Sequence, residues 1–171
     1  MPNEFANRVI KGNQIVADDW TVLRLEEGQE PATVEVATGK VIVPLKVWQA
    51  QKETLAARPE IGVWLQSDER PEELKGELDK FSVVAVNFPK FTDGRGYSVA
   101  RMLRERHAFT GELRAVGWVL RDNLLYMERC GFDAFELKPG KPLESGLEAF
   151  GELSRAYQAN VHDKRPIYRR R

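Results

Sequence analysis

The sequence predicts an α/β fold of about five mostly parallel βα units, preceded by a small N-terminal β-hairpin. Three observations carry this. Short apolar runs recur at intervals of roughly 20 to 30 residues, the length of a strand–helix repeat. Between them lie amphipathic stretches bounded by capping residues, prolines and glycines. Two of the runs, "KVIVPL" and "SVVAVNF", are apolar at consecutive positions, as strands covered on both faces must be.

The hairpin is read at residues 8–17, "RVIKGNQIVA", where Lys11-Gly12-Asn13 supplies residues that tolerate positive φ. Residues 18–39 read as irregular, partly extended chain. The α/β domain is expected over residues 40–160. Its strands are "KVIVPL", "EIGVWLQ", "SVVAVNF", "ELRAVGW" and "FDAFEL". Helices are expected at residues 46–59, where Pro59 stops the run; at 67–81, with Ser67 or Asp68 as cap and Pro71 in the first turn; and at 96–109. A fourth covers residues 120–131, with Gly131 past its end. A last one runs from about 143 to 159, with Leu147, Phe150 and Tyr157 at helical spacing. The last two strands carry Arg114, Asp133 and Glu136, which suits a sheet edge or a polar interior. An open three-layer sheet and a partial βα barrel both satisfy this pattern. Residues 161–171 form a basic tail, with Ile167 and Tyr168 as anchors if it docks on an acidic partner.

Composition narrows the function. Formal net charge is zero, so the broad basic field of a nucleic-acid binder is missing. The single cysteine, Cys130, excludes an internal disulfide framework and an iron–sulfur cluster ligated by one chain's cysteines. No apolar run reaches the roughly 18 residues of a membrane span, and the N-terminus does not read as a signal peptide, so a cytoplasmic protein is expected. No zinc, haem-attachment or dinucleotide motif is present, and the cofactor stays unassigned.

Parallel α/β folds bind ligands at the carboxyl ends of their strands. That rim excludes His107 and Cys130, which fall at helix C-termini on the other edge. Cys130 reads as a small buried hydrophobe, and Trp48, Trp64 and Trp118 as packing residues. Asp18-Asp19-Trp20 reads as a solvated acidic turn with a core tryptophan. The best remaining stretch is "TDGRGYS", residues 92–98. Free amides at a helix start favour an anion there. Arg95 adds a guanidinium fork beside the Gly96 amide, and Lys90 and Arg121 add charge. Asp93, Tyr97 and Lys90 are the candidate proton-transfer groups. The alternative is purely local: Asp93 or Thr92 caps the helix and the glycines turn the chain.

The blocks "VVAVNFPKFTDGRGYSVARMLRER" and "GELRAVGWVLRDNLLYMERCGFDAFEL", with the early "VADDW" and "VIVPLKVW", resemble an uncharacterised bacterial domain family. Its members are often encoded beside sulfite reductase and are commonly labelled oxidoreductases of sulfite reduction. The resemblance implies a role in assimilatory sulfite reduction, within sulfur assimilation and cysteine biosynthesis. An accessory partner of sulfite reductase that binds a small oxyanion is the favoured form. The alternatives are a small oxidoreductase acting on a sulfur oxyanion and a homodimer that binds a phosphorylated metabolite.

Overall fold

The structure is a computed structural model, and it describes residues 8–153 and 157–170. Eight strands form one sheet: β1 (Arg8–Lys11), β2 (Gln14–Ala17), β3 (Thr21–Val22), β4 (Val41–Pro44), β5 (Ile61–Leu65), β6 (Val83–Phe88), β7 (Glu112–Gly117) and β8 (Ala134–Phe135). Their order across the sheet is β2-β1-β8-β7-β6-β5-β4-β3. From β3 to β8 every strand lies parallel beside its predecessor, and β1 joins β8 antiparallel. The sheet curls into a half-barrel. Successive right-handed crossovers that never reverse direction put all their helices on one face. This settles the choice between open sheet and partial barrel in favour of the barrel.

The helices are α1 (Leu45–Leu55), α2 (Arg95–Glu105), α3 (Arg121–Cys130) and α4 (Leu143–Ala149). Strand periodicity sorts the core into two layers. Val41, Val43, Val63, Leu65, Val84, Val86, Leu113 and Ala115 meet the helices. Ile42, Trp64, Val83, Ala85 and Val116 face the concave side, where Trp20 and Val22 pack on them. Both faces of β4 and β6 are thus buried, as their unbroken apolar runs require.

Three local differences from the sequence reading have physical causes. Residues 67–81 form two short 3-10 turns, Pro71–Leu74 and Leu78–Lys80, in place of a helix. Gly76 has φ +80°, and Leu74 alone of the first turn's non-proline residues is buried, so no apolar stripe sustains a helix. Tertiary contacts hold the segment instead: the buried Trp48 indole donates to Glu77, which also pairs with Lys52. Residues 21–22 form β3, a strand too short to leave a periodic signal. The last helix ends at Ala149, and Tyr157 is exposed; residues 154–156 of the expected helix lie outside the described residues. Among the described residues no helix is long and apolar enough to cross a membrane.

Gly117 closes β7 and fixes the rim. Its φ is +91°, and a Cβ there would lie 2.5 Å from both the Phe88 carbonyl oxygen and Asn87 Oδ1. The close approach lets the Trp118 amide donate to the Phe88 carbonyl, which ties the exits of β6 and β7 together. Gly117→Ala combines a left-handed backbone with a clash against main chain. It is expected to cost more than about 3 kcal/mol, read as a shift in the urea midpoint.

Candidate functional site

The turn between β6 and α2 brings Lys90, Asp93, Arg95, Gly96 and Tyr97 together at the carboxyl rim. Its geometry is dominated by Asp93. The carboxylate accepts from Ser67 Oγ at 2.8 Å, from the Arg95 amide at 3.2 Å, and from the Arg95 guanidinium at 3.0 and 2.7 Å. Arg95 first, and Ser67 after it, hold this carboxyl well below the usual carboxylate range. The chain's own anion therefore occupies the seat that the helix start offers. Gly96 has a packing reason too: a Cβ there would come within 2.7 Å of the buried Phe88 ring, so glycine lets α2 lie against β6. Tyr97 stacks between Phe88 and Tyr126, ring centres 5.1 and 4.8 Å away, and burial raises its phenol. Lys90 is exposed. Arg121 does not join the group: it opens α3 and pairs with Glu148 and Glu152, beside α4.

A second constellation lies on the concave face. Ala85 pairs in register with Trp64 on one side and Arg114 on the other. Arg114 is only 1% exposed. A guanidinium there requires partners, because burying a lone charge is prohibitive. Asp18 and Glu112 each accept from it at 2.8 Å, and Glu112 also takes Lys11 at 2.7 Å. Asp18 thereby fastens the segment after the hairpin across the sheet. Residues 18–24 form one wall of a cavity of about 590 Å³, and residues 136–140 form the other.

Glu136 and Arg24 face this cavity. Glu136 follows β8, its amide bound to the Ala115 carbonyl. Burial pushes its carboxyl up, against the pull of Arg24 and Arg114. Arg24 lies 5.8 Å from the centre of the Trp64 ring, whose indole donates to the Leu23 carbonyl. The sequence reading assigned Glu136 to a sheet edge or a polar interior and saw Asp18-Asp19-Trp20 only as a turn; it missed Arg24. One signal was available: Arg114 sits mid-strand between apolar residues, so a distant carboxylate had to reach it.

The remaining reactive side chains have structural surroundings. Cys130 is buried, and burial raises its thiol. His107 lies at the opposite edge, 3.9 Å from Glu72. The tail is tied to the end of α3: the Val161 amide donates to the Arg129 carbonyl, and the His162 ring to the Glu128 carbonyl. Among the described residues no three His, Cys, Asp or Glu side chains group as metal ligands.

Residues 62–168, more than half of the chain, match a family described as bacterial protein of unknown function (DUF934). The chain belongs to this family. The matched stretch holds the β6–α2 turn, Arg114 and Glu136, while Asp18 and Arg24 precede it. No curated protein and no solved structure matches the chain.

Two outcomes follow from the ion pairs. Arg114→Met leaves the partly buried Asp18 against an apolar side chain, while Glu112 keeps Lys11. A loss of about 3 kcal/mol is expected by urea denaturation, together with faster proteolysis between residues 18 and 40. Asp93→Asn tests the turn. Because Asp93 titrates lower in the folded chain, its contribution is full above the unfolded carboxyl value of about 4 and fades as pH falls through the folded value. Wild type is therefore expected to melt modestly above Asp93→Asn at pH 6, with the gap closing below pH 4.

Proposed function

We propose that the protein is a cytoplasmic accessory protein of assimilatory sulfite reduction, an oxyanion-binding partner that docks on sulfite reductase by its carboxyl rim. The sulfur context comes from the sequence blocks that resemble proteins encoded beside that enzyme. The observation that favours docking is the rim surface. The connections after β6, β7 and β8 carry Phe91, Trp118 and Lys138. Phe91 is 53% and Trp118 39% exposed, and Lys138 Nζ lies 3.0 Å from the centre of the Trp118 ring. Exposed aromatic side chains among cations are the usual anchors of a protein–protein contact. The rim cations Arg95 and Arg121 already hold carboxylates, and an acidic partner surface or an oxyanion would exchange with these.

Co-purification of the tagged protein with sulfite reductase subunits at low salt tests this. Wild type is expected to retain the subunits, and Phe91→Ser/Trp118→Ser to lose about tenfold or more of the retention, since a single aromatic anchor carries roughly 2 kcal/mol or more. Equal retention by both proteins counts against the rim. No retention by wild type counts against the partnership.

A further inference from the structure

We propose that the concave cavity between residues 18–24 and 136–140 binds a small organic anion, its head group on the Arg24 guanidinium, and that its entry places a proton from solvent on Glu136. The connection after β8 borders both this cavity and the docking surface, but the inference rests on Arg24 and Glu136, which the docking contact does not use.

The cavity, about 590 Å³, falls within the roughly 300–1,000 Å³ usual for small-molecule sites. Its charges are mostly committed. Arg8 holds Glu144, Asp19 holds Lys40, and Asp18 is spent on Arg114. Arg24 and Glu136 are the exceptions: among the described residues neither makes an ion pair or a side-chain hydrogen bond. A guanidinium over an indole face, open to a cavity, offers a two-pronged donor to a carboxylate or a tetrahedral oxyanion. Trp20, Val22 and Leu137 give the same cavity apolar wall, which suits an organic body behind the charged head.

The proton follows from the charges around Glu136. Arg24, beyond β3, and Arg114, on β7, favour its carboxylate; Asp18, before β3, opposes it, and burial opposes it most. An anion on Arg24 neutralises one of the two supporting cations and adds a like charge nearby. Both changes favour the neutral acid, whose O–H can then donate to the incoming oxygen. Binding and protonation are thus linked, and affinity rises as pH falls.

Sulfate and acetate serve as head-group probes, since neither changes charge appreciably between pH 6 and 8. Amide and arginine side-chain NMR shifts of the whole chain at low salt read their binding. Saturable shifts are expected at residues 18–24 and 136–140, with affinity tightening from pH 8 to pH 6 by at most about tenfold per unit for one proton. Arg24→Gln is expected to weaken binding about fivefold or more, a charge-assisted contact being lost. Glu136→Gln is expected to bind with a pH-independent affinity. Tighter sulfate assigns a tetrahedral head, tighter acetate a carboxylate, and either ranking supports the site. The proposal is overturned if neither probe gives saturable shifts, if Arg24→Gln binds as wild type does, or if the pH dependence survives in Glu136→Gln. The readout uses the isolated protein, so its failure is distinct from failure to retain sulfite reductase.

Discussion

A buried guanidinium organises the concave side of this protein. Arg114 stands in the middle of a parallel strand, 1% exposed, where an aliphatic side chain would be the default. Its charge is tolerable only because Asp18 reaches it from 96 residues earlier and Glu112 from the same strand. That requirement draws residues 18–24 over the mouth of the half-barrel. The cavity, the packing of Trp20 and Val22 on the concave layer and the place of Arg24 in the same lining as Glu136 all follow from it. Replacing such a cluster by apolar residues often costs a fold nothing, whereas removing one member leaves stranded charge. The ion pair therefore specifies where the segment lies more than it stabilises the whole.

Two guanidinium groups of the molecule, Arg95 and Arg24, contrast instructively. At the start of α2 the amides and Arg95 are served by Asp93, two residues away, so the local sequence completes its own electrostatics. On the concave face Glu26 stands at the same spacing from Arg24, yet among the described residues no carboxylate pairs with that guanidinium. Sequence spacing alone therefore does not decide whether a guanidinium is paired; the local backbone does.

Much of the fold was legible. Unbroken apolar runs at βα spacing gave the parallel strands, Gly12 marked the hairpin turn, and Gly131, with φ +117°, marked the end of α3. What was not legible depends on long-range packing. The charged run at 67–81 has helix-forming residues but no stripe to bury, and Glu77 is held by Trp48 from another element. The two residues of β3 pair with β4 only because the sheet already exists. In the site, the turn at residues 90–97 was found because glycines and charges cluster in sequence. The cavity was not, since its walls are more than a hundred residues apart.

The strand order carries a consequence for how the chain is made. From β3 to β8 each strand pairs with the one just before it, so the parallel sheet can grow from its amino end as the polypeptide lengthens. The hairpin is the exception. β1 is synthesised before the other seven described strands, yet its place is beside β8, and Ile10 meets Phe135 across nearly the full length of the domain. A ribosome-bound chain that stops short of residue 135 carries a finished hairpin with no strand to receive it. The half-barrel thus gains this edge by returning a strand made before the others, and such long-range closure is the kind of contact that slows folding.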